Sequence, residues 1–126
     1  MTTRTAAELA SIGNAEEVEL ASRRRDGTLR RPVTIWVVRL GDEIFVRSVN
    51  GRTAAWFRGA AARHEGRIWA GGVEKDVTFA DVSNPIDIDD QLDASYRSKY
   101  RRYAASIVNR IVSAEARSAT LQLVPR

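Results

Sequence analysis

Residues Val33–Arg58, VTIWVVRLGDEIFVRSVNGRTAAWFR, decide the fold. Val33–Leu40 and Ile44–Val49 are rich in β-branched and aromatic side chains, and Gly41-Asp42 between them is a two-residue hairpin signal. With that loop, Val38 lies opposite Phe45, Val37 opposite Val46 and Trp36 opposite Arg47. Side chains alternate across a strand, so Val37, Val46 and Ile35 take one face. Trp36 and Arg47 share the other, close enough to stack. A longer loop would slip the register by one and exchange the faces. At Asn50-Gly51 the period changes from two to helical, with Trp56, Phe57, Ala60 and Ala61 on one side.

Upstream, Thr5-Ala6-Ala7-Glu8 is a capping box that opens a short helix over residues 5–12, and Gly13-Asn14 stops it. Glu17–Ala21 alternates and reads as a strand with Val18 and Leu20 inward. Asp26-Gly27 makes a turn flanked by five arginines: Arg23, Arg24, Arg25, Arg30 and Arg31. Pro32 cannot donate to a ladder, so it marks a strand start or a sheet edge.

Downstream, Thr53, with Asn50, can cap a helix from Ala54 to about His64, and Gly66 ends it. Arg67–Ala70 and Val73–Val82 are strands around a Gly71-Gly72 turn, with Val77 and Phe79 on one side of the second. Ser83-Asn84-Pro85 breaks the chain. Asp87, Asp89, Asp90 and Asp93 open a helix whose basic end is Lys99, Arg101 and Arg102, an order that complements the helix dipole. Leu92, Tyr96, Tyr100 and Tyr103 form its stripe. Ala104–Ser113 continues as helix with Ile107, Val108, Ile111 and Val112 buried, and Ala119–Val124 is a last strand. The order β-β-β-α-β-β-α-α-β lacks the alternation of a parallel sheet. A mainly β, α+β domain follows: an antiparallel barrel with peripheral helices, its closure hiding strand edges. One domain spans 1–126, with a C-terminal helical pair over about 89–113 before the last strand.

Composition removes several functions. The chain has no cysteine, so neither disulfides nor thiolate chemistry is open to it. It has no long apolar run and no signal-peptide core, which points to the cytoplasm and away from the membrane. With one histidine, His64, a His-ligated zinc site of ordinary composition is excluded, and no Ser or Asp near it has the context of a triad. The acidic cluster lacks the spacing of a calcium loop, so no metal is expected and a helix-start role is favoured.

Twenty Lys and Arg against sixteen Asp and Glu give a net charge of +4, which permits an acidic partner. Two stretches are candidate anion sites. In the arginine turn, guanidinium forks can take phosphate oxygens, or they can simply be solvated charges guarding an edge strand. In Arg47-Ser48-Val49-Asn50-Gly51-Arg52-Thr53, a strand end delivers a hydroxyl, an amide and a glycine to a helix start, where free N–H groups favour an anion. An ordinary strand-to-helix turn with a Thr cap is the slightly favoured reading of such generic residues. The stretch is not a Walker loop. Glu17 and Glu19 could instead neutralise the arginines. Trp36, Trp56, Phe57 and Trp69 could line a flat-ring pocket or fill the core.

The segments DGTLRRPVTIWVV, DEIFVRSVNGRTAAWFRGA, RIWAGGVEKDVTFADV, IDDQLDASYRSKY and ATLQLVP, in this order from about Glu17 to Pro125, resemble a bacterial domain-of-unknown-function family. That family is similar to the flavin- and deazaflavin-binding split barrels, the group of pyridoxamine-phosphate oxidase-like proteins and deazaflavin-dependent nitroreductases. The resemblance implies a split β-barrel, FMN or a deazaflavin as cofactor, a homodimer with cofactor sites at the subunit interface, and an oxidoreductase working by cofactor hydride transfer. It implies phosphate contacts at Arg25, Gly27, Arg30 and Arg31, then at Arg47, Ser48, Asn50 and Gly51, with Trp56 near the ring; Trp36 joins them from the hairpin pattern. The relatives' Gly-Arg-x-x-Gly-x-x-Arg turn is matched here only loosely by Arg24–Arg30, and the helices between Asp89 and Ser113 are additions to a minimal barrel. A basic module binding nucleic acid, and a structural or regulatory dimer without cofactor, are the alternatives. No residue is singled out as a catalytic acid or base.

Overall fold

The computed structural model describes residues 4–82 and 86–126. In chain order the elements are α1 (Ala6–Asn14), β1 (Val18–Ser22), β2 (Val33–Ile35), β3 (Val38–Leu40), β4 (Glu43–Arg47), a 3-10 turn (Gly51–Thr53), α2 (Ala55–Arg63), β5 (Glu65–Ala70), β6 (Val73–Asp81), α3 (Ile86–Lys99), α4 (Ala105–Ile111), α5 (Ala114–Arg117) and β7 (Thr120–Pro125). All seven strands pair antiparallel in the order β2-β1-β5-β6-β7-β4-β3. The sheet curls into a split barrel. The break at Ser83-Asn84-Pro85 and the side chain of Asp87 lie outside the described residues.

The hairpin register is the one its sequence specifies: Val38 pairs with Phe45 and Leu40 with Glu43, leaving Gly41-Asp42 as the loop. Gly41 takes a φ of 62°, which suits glycine in such a turn. Gly71-Gly72 turns the β5–β6 hairpin in the same way. Thr5 and Glu8 form the expected capping box of α1.

Val33–Leu40, however, is two strands rather than one. Val33–Ile35 pairs with β1 and Val38–Leu40 pairs with β4, and these are opposite edges of the sheet. Trp36-Val37 therefore crosses the split in the barrel. A crossing residue has no ladder to satisfy its peptide groups, so side chains must do it. The Val37 N–H donates to the Tyr100 hydroxyl (3.0 Å), and the Val37 carbonyl accepts from Lys99 Nζ (2.6 Å). Tyr100 in turn donates to the Glu16 carbonyl (2.8 Å). Burial pushes the Tyr100 phenol up, so it stays a donor at any ordinary pH. Burial likewise pushes the Lys99 ammonium down, to about 8, with Glu16 opposing the shift.

Two cores follow from the alternation. Inside the barrel, Val37, Ile44 and Val46 join Val18, Leu20, Ile68, Val77, Phe79 and Leu121, with α1 and α2 contributing Ile12 and Phe57. Outside it, Val38 and Phe45 pack against Leu92, Tyr96 and Tyr100 of the α3 region and Val108 and Ile111 of α4. β4 is thus buried on both faces, from Ile44 to Arg47.

Three local expectations change. Thr53 does not cap α2, whose N-cap is Ala54 with no side-chain bond; the Thr53 hydroxyl turns back to the Asn50 carbonyl (3.4 Å). His64, at a φ of 60°, ends α2, and Gly66 lies within β5. A Cβ at Gly66 would stand 2.2 Å from the Ala21 carbonyl oxygen, so that glycine serves close strand packing and not a helix stop. Ile107 is 48% exposed, because the buried side of α4 is carried by Val108 and Ile111. No helix among the described residues is long and apolar enough to cross a membrane.

Tyr100→Phe keeps the ring but strands the Val37 N–H and the Glu16 carbonyl. Chemical denaturation should show a loss of about 2–3 kcal/mol, the usual cost of unpaired buried groups. A variant as stable as the parent would show that water replaces the hydroxyl.

Candidate functional site

The crossing creates a cleft. Trp36 at the crossing, the end of β4 (Arg47–Asn50), Trp56 of α2 and Ile107, Arg110 and Ile111 of α4 line it, with Glu17, Thr34 and Ile35 on the β1–β2 side. Its volume is about 240 Å³. That is slightly below the roughly 300–1,000 Å³ of ordinary ligand pockets, enough for one ring system entering from an open side.

Trp36 is held rigidly. Tyr100 stacks on it at 3.9 Å with an interplanar angle of 3°, and Tyr103 meets it at 5.0 Å and 51°. The indole is therefore a fixed wall, half-buried, with one face packed by protein. Trp56, also half-buried, meets Phe57 edge to face at 5.9 Å.

Arg47 and Trp36 both face the helical layer, but the hairpin pairing ends at Val38–Phe45 and the two do not stack. Its guanidinium carbon lies 5.6 Å from the Tyr96 ring centre instead. The side chain is fully buried. Nε donates to Thr120 Oγ1 (3.1 Å); Nη1 donates to Asp93 Oδ1 (2.5 Å) and the Ile111 carbonyl (3.2 Å); Nη2 donates to the carbonyl and Oδ1 of Asp89 (both 3.2 Å). A guanidinium has five N–H groups, and these bonds use them up. Arg47 therefore holds the helices and has no N–H free for a phosphate. The acidic cluster is explained by the same bonds. Asp89 and Asp93 take Arg47, while Asp93 and Asp90 also take Arg117.

Ser48 follows Arg47 and differs from it. The residue is 1% exposed, lines the cleft, and its hydroxyl has no hydrogen-bond partner. Buried polar groups are nearly always paired, so an orphan at a cleft wall is a place where something else can bond. Asn50, exposed at the rim, accepts from Arg110 Nη2 at 3.4 Å.

Five residues singled out from the sequence meet at this cleft: Trp36, Arg47, Ser48, Asn50 and Trp56. Arg25, Gly27, Arg30 and Arg31 are not among its lining residues. The reason is the split strand. Val33 pairs with Leu20 of β1, so the arginine turn travels with β1 and away from the end of β4. Arg23 bonds the Gly27 carbonyl (2.9 Å) and Asp76 (3.2 Å), and Arg24 bonds the Leu29 carbonyl (2.8 Å), so part of the turn is spent on itself. Arg30 reaches α2, its Nε lying 3.1 Å from where a Cβ on Gly59 would stand. Gly51, at a φ of 75°, is covered: Glu115 Cγ lies 2.6 Å from its would-be Cβ, so a carboxylate-bearing side chain occupies the space proposed for an anion.

The sequence does not mark Arg110 or Ile107 as site residues. Their signal is weak but present: they stand one turn apart on α4, at the flank of the apolar stripe.

The family model for uncharacterized proteins conserved in bacteria (DUF2255) matches residues 8–123. The chain belongs to that family. No curated protein matches it. Solved structures show the fold. HutZ, the heme storage protein of Vibrio cholerae, superposes with a TM-score of 0.71 at 13% identity, covering 98% of this chain and 92% of HutZ. An FAD-binding protein of Mesorhizobium loti gives 0.53 at 14% identity, covering 99% and 92%. An F420 reductase gives 0.54 at 11% identity, covering 93% and 90%. The fold is thus shared with a heme storage protein, an F420 reductase and an FAD-binding protein.

Arg47→Met removes the guanidinium, leaving Asp89 buried without a counter-charge and Asp93 with Arg117 alone. Thermal or urea unfolding should show a loss of about 3–5 kcal/mol, as for other half-broken buried pairs. A loss below about 1 kcal/mol would mean that the carboxylates relax into solvent.

Proposed function

We propose that this protein binds a flavin or deazaflavin nucleotide, with the ring system in the Trp36–Trp56 cleft. The observation that carries the reading is the buried, unpartnered Ser48 hydroxyl between a rigid aromatic wall and a cationic rim. Trp36 and Trp56 would sandwich or edge the ring, and Ser48 and Asn50 would bond the nucleotide's polar groups. Glu17 is the carboxylate available to a ring N–H. A flavin or deazaflavin bound there supplies hydride-transfer chemistry, and the chain's own contribution is binding, orientation and exclusion of water. Oxidoreductase activity is part of the proposal on that footing.

Haem suits the cleft less well. Among the described residues lining it there is no His, Cys, Met or Tyr to ligate iron. His64 is at the end of α2, with Nδ1 against the Phe79 carbonyl (3.2 Å).

The family resemblance also leads us to propose a homodimer. Val49 (37% exposed) and Ile107 (48%) are apolar side chains at the rim that a second copy would cover. Sedimentation velocity should give a species of twice the chain mass, and a monomer at tens of micromolar would contradict it.

The binding reading is tested by fluorescence titration with FMN and with the F420 deazaflavin. Dissociation constants in the micromolar range or below are expected for at least one. Trp36→Ala should weaken that affinity by at least tenfold, the loss of about 1–3 kcal/mol of stacking. Binding unaffected by Trp36→Ala would place the ligand elsewhere.

A further inference from the structure

We infer that Arg110 and Ser48 form the anion-reading end of this cleft, taking the phosphate, carboxylate or sulfonate of a planar aromatic ligand whose ring lies against Trp36 and Trp56. The inference rests on the reading of the cleft as a ring site, but it does not require the ring to be a flavin.

Arg110 is exposed on α4 at the cleft, and the one hydrogen bond of its side chain among the described residues is the 3.4 Å contact to Asn50. No carboxylate among those residues forms an ion pair with it. Arg47, the other guanidinium at the cleft, is fully spent on Asp89, Asp93, Thr120 and Ile111. That leaves Arg110 as the cation with N–H groups to offer. Asn50 steers it toward the end of β4, where the Ser48 hydroxyl is buried without a partner. An oxyanion bridging the two would take a guanidinium fork and an O–H donor at once. The cleft is also polar end to end. Glu17 enters from the β1–β2 side and Arg110 from the β4–α4 side, so an anion is favoured at one end only. Arg110 comes from a helix that is not part of the sheet, which is why the arginine turn is not needed for this role.

Three probes separate the claims: FMN, riboflavin (the same ring without the phosphate) and 1-anilinonaphthalene-8-sulfonate (a different ring with an anion). Each is titrated by fluorescence into the parent chain, Arg110→Gln and Ser48→Ala. Arg110→Gln should weaken FMN and the sulfonate by roughly tenfold to a hundredfold and riboflavin by less than about twofold, the signature of a lost charge-assisted bond. Its melting temperature should match the parent's, since the side chain is exposed. Ser48→Ala should weaken FMN and the sulfonate and also raise the melting temperature by about 2–4 °C, because it removes a buried orphan hydroxyl. A merely structural serine would not show lower affinity with higher stability. If FMN and riboflavin bind and Arg110→Gln changes neither, the inference is wrong and the flavin reading stands. If neither flavin binds but the sulfonate does so through Arg110, the flavin reading is wrong and the inference stands. If none of the three binds, both are wrong.

Discussion

The guanidinium of Arg47 lies wholly inside the protein, and the helical layer is attached to the barrel through it. It emerges from β4, whose other buried side chains are apolar, and it reaches β7 through Thr120, α3 through Asp89 and Asp93, and the end of α4 through the Ile111 carbonyl. Burying such a charge costs several kcal/mol unless every donor is paired. Here the pairing is complete, and Arg117 closes the network from α5 by sharing Asp93. The arrangement also fixes geometry. The Ile111 carbonyl belongs to the last turn of α4, so the bond to Arg47 sets where Arg110 and Ile107 stand relative to β4. The cleft wall is thus positioned by a charge that takes no part in recognition.

The second constraint is the split of the barrel. One covalent segment must serve both sheet edges, and between them Trp36-Val37 has no neighbour strand. Tyr100 and Lys99 supply the missing partners to Val37, and the same Tyr100 ring lies flat on Trp36. Closure of the fold and rigidity of the aromatic wall therefore have one cause. A binding surface that is ordered before its ligand arrives loses less entropy on binding. The helices after β6 contribute both the clamp and the rim.

Local physics was legible in the sequence where the interactions are local. Thr5 and Glu8 announced the capping box, Gly41-Asp42 fixed the register down to Val38 opposite Phe45, and the Leu92, Tyr96, Tyr100 spacing marked the buried side of α3. What could not be read were partners far along the chain. Val37 leaves the ladder because of a tyrosine 63 residues later, and Arg47 is withdrawn from anion binding by carboxylates 42 and 46 residues away. The period-two pattern of Val33–Leu40 is the same for one long strand as for two short ones joined by an extended crossing. The arginine turn stands out by its charge, whereas its position depends on which strand Val33 pairs with. Periodicity puts Ile107 inside, but the buried side of α4 is carried by Val108 and Ile111 and leaves Ile107 on its exposed flank.

The central claim is that a planar ligand enters between Trp36 and Trp56. The chain has three tryptophans, and the third, Trp69, lies in β5 outside this cleft, so the indole N–H signals report on location directly. Two-dimensional 1H–15N spectra recorded while FMN or the F420 deazaflavin is added should shift the Trp36 and Trp56 indole signals together and saturably, leaving Trp69 in place. Assignment follows from single Trp→Phe variants. Shifts confined to Trp69, or no indole shift at ligand concentrations that saturate binding by fluorescence, would contradict the account.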